Sequence, residues 1–255
     1  MFELINISSL DNDMTSFIQY SNVLLDGFQN NNKTAEVINK KRDLLENILD
    51  HYDLTDDNML FVGFSPWCLS LGQKKFKITS VSDEVLSYLD SQGLDYEYRP
   101  LDDWKKDSKS ASIVVAVDEY FTFANSDAEQ RQLVEQLASL AKDIIVTTLR
   151  DYKNQDFKDR EFSQPIMVRG TAGSKIFLEH YEYDLKDKNA NSSSTYAIGS
   201  DSSEMYGPFA RRNMYFKQLA KFSLDAGAQS FLVHKNLMHK SIIKKNYEHI
   251  ITIKL

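Results

Sequence analysis

The chain reads as an α/β protein built on a mostly parallel sheet, and three observations lead to that reading. Short apolar runs rich in β-branched residues alternate with amphipathic stretches of helical length between residues 59 and 149. Each such pair has the length of a strand–helix–strand crossover, which forces neighbouring strands to run parallel and places helices on both faces of the sheet. The 255 residues are 42% hydrophobic, enough to cover both faces.

Taken in order, the first fifty residues are helical. Phe17, Tyr20, Val23, Leu24 and Phe28 recur at helical spacing. Leu44, Leu45, Ile48 and Leu49 do the same after a polar break at Asn30–Lys33. Met59–Gly63 is a continuous apolar run ending in glycine, the pattern of a buried strand. Phe76–Val81 is the second strand, followed by a helix from Asp83 that closes at Gly93. Tyr96–Arg99 is a short third strand. Ile113–Val117, the most β-branched stretch, is the fourth and stops at Asp118-Glu119. Ser126 and Glu129 form a capping box before a helix carrying Leu133, Val134, Leu137 and Leu140 on one face. Ile144–Leu149 is the fifth strand.

The rhythm then changes. Arg150–Gly173 reads as loop, Lys175–Leu185 and Thr195–Ile198 as two antiparallel strands, and Lys186–Ser194 as a polar turn between them. A helix is expected over Phe209–Ala226, stopped by Gly227, and Gln229–His234 and Tyr247–Ile253 are closing strands joined by a basic segment. These boundaries divide the chain into a helical extension over 1–55 and an α/β domain over 56–255, with a β-hairpin-like insertion at 168–200.

Composition excludes several classes of function. The net charge of −7 and the absence of a long apolar run point to a soluble, cytoplasmic protein with no membrane partner. A single cysteine, Cys68, forms neither an internal disulfide nor a zinc site, and five scattered histidines give no metal-ligand spacing, so no metal is expected. There is no Gly-x-Ser-x-Gly elbow and no phosphate loop of the Gly-x-x-x-x-Gly-Lys-Ser/Thr kind. The charge is uneven: residues 205–255 hold nine Lys/Arg against two acids, a net of +7 on a body of −14. That basic C-terminal face suits an anionic substrate, and nucleic acid is a further candidate partner.

Five α/β units followed by a helix and a closing strand pair resemble the class I S-adenosylmethionine-dependent methyltransferases. The resemblance implies a Rossmann-like seven-stranded, mostly parallel sheet of order 3-2-1-4-5-7-6, a β insertion after strand five, and S-adenosylmethionine as cofactor across the carboxyl ends of strands one to four. It assigns cofactor contacts to Gly63, Phe64 and Ser65 after strand one, although one glycine stands where the family has two or three. At the end of strand two Ser80 occupies the position of the family's ribose-binding acid, with Asp83 one turn further on. Asp102 and Asp103 after strand three match the adenine-binding acid, with Trp104 as a stacking face. Asp118, Glu119 and Tyr120 at the end of strand four are the candidate catalytic residues, because acids at a strand's carboxyl end beside a cleft can orient a nucleophile or take its proton. Arg150, Tyr152, Tyr206, Arg211 and Arg212 are the candidate substrate contacts, paired arginines being suited to carboxylate or phosphate. The departures at Gly63 and Ser80 motivate an alternative: a non-catalytic methyltransferase-like scaffold that has lost its cofactor and works through a partner or a homo-oligomer.

Overall fold

The computed structural model describes residues 15–150, 160–170, 173–184, 186–187, 189–240, 242 and 247–255. Its main sheet has seven strands: β1 (Met59–Val62), β2 (Phe76–Thr79), β3 (Tyr96–Tyr98), β4 (Ala111–Ala116), β5 (Ala141–Leu149), and the late pair β11 (Ser230–Lys240) and β12 (Tyr247–Lys254). The order across the sheet is β11-β12-β5-β4-β1-β2-β3. All neighbours among the first five are parallel, whereas β12 runs antiparallel to both β5 and β11. Read from β3, this is the expected order 3-2-1-4-5-7-6. Every residue of β1 is buried, as a strand covered on both faces requires.

The crossovers are made by the short helices α3 (Pro66–Leu69) and α5 (Leu101–Lys106) and the longer α4 (Asp83–Ser91) and α6 (Asp127–Leu140). Capping is as the sequence implies: the Ser82 hydroxyl accepts from the Val85 N–H and the Ser126 hydroxyl from the Glu129 N–H. The last crossover helix, α7 (Phe216–Asp225), starts seven residues later than the expected Phe209.

The difference at Phe209 arises because a strand occupies that segment. The region after β5 forms a second, antiparallel sheet of five strands: β6 (Arg160–Phe162), β7 (Ile166–Gly170), β8 (Gly173–Tyr183), β9 (Ala190–Ile198) and β10 (Ser203–Arg212). The pairing extends beyond the 168–200 hairpin on both sides, and Lys186–Ser194 is not all turn, since β9 begins at Ala190. β10 is interrupted in sequence by Gly207-Pro208. There the register against β9 shifts between Tyr206 and Phe209, a bulge of the kind that accommodates proline in a strand.

Two N-terminal helices, α1 (Thr15–Gln29) and α2 (Thr34–Tyr52), pack against this frame. α1 is embedded between the two sheets: Phe17, Tyr20, Val23, Leu24 and Phe28 are all at most 2% exposed. Phe17 lies edge-on to Tyr120 and Phe123, with centroids at 5.0 and 5.2 Å, and Tyr20 meets Phe209 of β10 at 5.8 Å. The Ser21 hydroxyl accepts from the Phe64 N–H, and the Asp26 carboxylate pairs with Lys175 of β8 at 2.7 Å.

Gly63, at the end of β1, makes this packing possible. Its φ is +80°, and a methyl on its Cα would lie 2.4 Å from the Phe17 ring. Gly63→Ala is therefore expected to cost about 2–4 kcal/mol in urea unfolding, from left-handed strain plus steric conflict. Gly93→Ala, at φ +64° with nothing within 4 Å, carries the strain alone and should cost about 1 kcal/mol. Equal losses in the two variants would show that Phe17 does not press on Gly63.

Candidate functional site

The carboxyl ends of β1 to β5 carry most of the candidate residues. After β4 the chain enters a left-handed turn, with φ of 60° at Asp118 and 65° at Glu119, before one turn of 3-10 helix at Tyr120–Thr122. Such backbone is disfavoured for residues other than glycine and persists where surrounding contacts hold it. Those contacts are visible here. The Asp118 N–H donates to the Thr148 hydroxyl, and the Thr122 hydroxyl donates to the Glu119 carbonyl.

The two side chains leave the turn toward different partners. Asp118, 3% exposed, accepts at 2.7 Å from Nε2 of His239, which is itself 1% exposed. Nδ1 of His239 faces two donors, the Lys41 ammonium at 2.9 Å and the Trp67 indole N–H at 3.1 Å. Neither donor can accept, so Nδ1 bears the lone pair and the Nε2 proton points at Asp118. Burial, reinforced by Lys41, holds the imidazole below its ordinary pKa and neutral. Burial works to raise the Asp118 carboxyl, but His239 and Lys41 overcome it and keep the group below the usual carboxylate range. Burial pushes Lys41 down to about 8, against the pull of Asp118 and Glu248.

Glu119 pairs with Arg211 of β10 at 2.9 Å, both side chains being 3% exposed. Arg211 also donates from Nε to the Ser193 hydroxyl, and its guanidinium lies 4.0 Å from the Phe123 centroid and 4.7 Å from that of Tyr20. Burial opposes its charge, but Glu119 and its neighbours outweigh that and keep it protonated. Tyr120 is fully buried beneath Phe17, and burial raises its phenol.

The remaining candidates divide between an open cleft, a small chamber and the protein interior. A cleft of about 800 Å³ opens beside the ends of β2, β3 and β4, lined by Ser80, Tyr98, Pro100, Asp102, Phe123 and Ala124 and continuing along α6. Asp102 is well exposed there and pairs with Lys105 at 2.6 Å. Asp103 pairs instead with Lys106, and Asp83 sits in the first turn of α4. Trp104 is buried, with the Arg99 guanidinium 4.5 Å and the Lys77 ammonium 5.3 Å from its ring. Gly63, Phe64 and Ser65 lie under α1 and are buried, outside the cleft. Arg150 and Arg211 line the small chamber, together with Glu119 and Thr122. Arg212 is tied to Asp127 and Asp187, and the Tyr206 hydroxyl to Glu204 and Asp26, so neither joins that chamber. Arg211 and Arg212 belong to β10 rather than to a helix start. Tyr152 lies outside the described residues, as do Lys244 and Lys245 of the basic segment.

Sequence spacing did not connect Phe17, Lys41, Trp67 or His239 with Asp118 and Glu119, and these residues complete the site from elements far away in the chain. The left-handed backbone at Asp118-Glu119 is their structural sign. Cys68 is fully buried and its thiol is pushed up to about 12, so it is inert at neutral pH. Among the described residues no group of three His, Cys, Asp or Glu side chains could hold a metal ion, and no helix is long and apolar enough to cross a membrane.

Lys41 gives the network a measurable pH signature. Its folded pKa of about 8 lies below the unfolded value of 10.5, so its burial cost is full below pH 8 and is relieved as pH rises to 10.5. Lys41→Met removes that cost. Its stability relative to the natural protein should fall by about 2–3 kcal/mol between pH 7 and pH 10 in urea unfolding. A pH-independent difference would mean that the ammonium is not desolvated.

No family model matches the chain, and no curated protein sequence does. Solved structures do match. An S-adenosylmethionine-dependent methyltransferase from Clostridium acetobutylicum ATCC 824 superposes with a TM-score of 0.60 at 13% identity, over 88% of this chain and 95% of its own. The sugar N-methyltransferase KedS8 from Streptoalloteichus sp ATCC 53650 gives 0.59 at 8% identity, over 87% and 89%. Magnesium protoporphyrin IX methyltransferase from Synechocystis PCC 6803, solved with bound SAM, gives 0.51 at 10% identity, over 98% and 99%. By strand order, crossover pattern and these superpositions, the chain has the Rossmann-like fold of the class I S-adenosylmethionine-dependent methyltransferases.

Proposed function

We propose that this protein is an S-adenosylmethionine-dependent methyltransferase acting on a small-molecule acceptor. The observation that carries this reading is the cleft of about 800 Å³ at the ends of β2, β3 and β4, with Asp102 in its wall. Its size is that of a ligand site, and it lies where an open α/β sheet takes its ligand. The Asp102 carboxylate can accept from an exocyclic amine, and Ser80, in left-handed backbone at φ 56°, lines the same cleft. These residues would hold the adenosine half. The cofactor would supply an electrophilic methyl group. Small-molecule acceptors are suggested by solved relatives of this fold, which include a sugar N-methyltransferase and a porphyrin methyltransferase.

A second reading rests on one opposing observation. The Phe17 ring lies against Gly63 and Ser21 takes the Phe64 N–H, so protein fills the space over β1 where the methionine half would pass. On that reading the fold serves as a scaffold and its buried acids are structural. Asp118 and Glu119 fit this role, since both are paired and buried.

Calorimetry with S-adenosylhomocysteine separates the two. The methyltransferase reading expects saturable heat, weakened about five- to tenfold by Asp102→Ala through loss of one hydrogen bond. It also expects Phe17→Leu to tighten binding by reducing competition over Gly63. No heat at millimolar ligand, in the natural protein or in Phe17→Leu, would leave the scaffold reading.

A further inference from the structure

The second sheet turns one face inward, where Phe177, Glu179 and Tyr181 of β8 and Thr195 and Ala197 of β9 are buried. Side chains alternate along a strand, so Ile176, Leu178 and His180 of β8 and Tyr196 and Ile198 of β9 point outward. The outward face of such an antiparallel sheet is polar when it meets water. Here it is not. The register lines up Met167, Ile176 and Ile198 in one row across the strands and Leu178, Tyr196 and Met205 in the next. A third row begins with Phe162, whose ring stacks on His180 at 4.5 Å.

Phe162 is 60% exposed, Met167 55%, Met205 54% and Ile198 43%. Four of the seven large hydrophobic side chains exposed among the described residues therefore share one sheet face, which is a patch and not a scatter. From the row of Arg169 and Ser174 to that of Arg160 and Glu182, the four-strand face covers about 550 Å², taking the usual strand spacing and rise. Two such faces in contact would bury about 1,100 Å², the size at which specific interfaces begin.

Charge at the rim selects the occupant. Arg169 stands exposed at one end of β7, and Asp201 stands exposed in the turn between β9 and β10 at the same end of the sheet. Among the described residues Arg169 makes no ion pair, and Asp201 accepts only from the neighbouring Ser200 hydroxyl. At the opposite end Arg160 of β6 is held by Glu182 at 3.2 Å. A partner has to bring an acid to Arg169 and a cation to Asp201, and a second copy of this chain brings both.

The register also distinguishes the two ways in which copies can meet face to face about a two-fold axis. An axis across the strands lays Arg169 over Arg160 of the other copy, like charge on like. An axis along the strands, between β8 and β9, lays Leu178 over Tyr196, Ile176 over Ile198, and Arg169 toward the turn that carries Asp201. Each contact is then made twice, as an isologous interface requires.

We propose that the outer face of the second sheet is a dimer interface, packed sheet on sheet against a second copy about an axis along its strands. The inference is independent of what the cleft binds, because no residue of this face lines the cleft. Sedimentation equilibrium at about 50 µM, well above a micromolar dissociation constant, should return twice the 29.4 kDa of one chain. Ile198→Glu sets a charge in the middle of the face and should raise the dissociation constant at least ~100-fold, with far-UV circular dichroism unchanged. Met205→Glu, at another exposed point of the face, serves if Ile198→Glu does not fold. Arg169→Asp should weaken association about fivefold, and the exchange Arg169→Asp/Asp201→Arg should restore it. A natural protein of 29.4 kDa, a dimer that both glutamate variants leave intact, or an exchange that restores nothing would each overturn the proposal. Heat from S-adenosylhomocysteine, present or absent, bears on the methyltransferase reading alone.

Discussion

The structure depends on what happens in two residues at the end of β4. There the backbone turns left-handed twice, and consecutive carboxylates go to different partners. Asp118 meets His239 at the tip of the β11–β12 hairpin, and Glu119 meets Arg211 in the second sheet. Each acid is buried, and an unpaired buried carboxylate is costly. The turn therefore requires both outlying units to be in place. Once they are, it fixes the hairpin, α2 through Lys41, and β10 around a single point.

This explains why acids at a strand's carboxyl end, a signature of chemistry when read alone, are enclosed here. The same position in an open cleft would present its carboxylates to a ligand. In this chain the space around them is taken by Phe17, Trp67, His239 and Arg211. What remains open nearby is the long cleft by Asp102 and the small chamber lined by Glu119 and Arg211. Glu119 and Thr122 line the chamber and Phe123 and Ala124 the cleft, so one short segment borders both cavities.

The main sheet was legible because its strands are apolar on both faces and its helices carry clear caps and stripes. Met59–Val62 and Ile113–Val117 could be little else, and Ser126 marked the start of α6. The second sheet was only half legible, for a physical reason. The buried positions of β9 include Asn191, Ser192, Ser193 and Thr195, so its interior is polar and lacks the alternation that reveals a strand. β10 was hidden by Gly207-Pro208, which reads as a turn and is a bulge. In the site, Asp118, Glu119 and Asp102 were legible as residue types after strand ends, whereas Arg211 was legible only as a candidate contact and was expected on a helix, not on β10. Their partners were not, since His239 lies 121 residues from Asp118 and 198 from Lys41, and no local spacing encodes such a meeting.

The embedding of α1 also bears on how the chain reaches this state. Asp26 and the Tyr206 hydroxyl that touches it are 180 residues apart, and the apolar stripe of α1 faces β10 as well as the main sheet. During synthesis this helix emerges long before the strand that covers it, so its aromatic face stays exposed until the second sheet has formed. Contacts of such high sequence separation raise the loop-closure cost that folding has to meet before they form. The helix that completes both cores is thus also the segment that most needs shielding on the way to them.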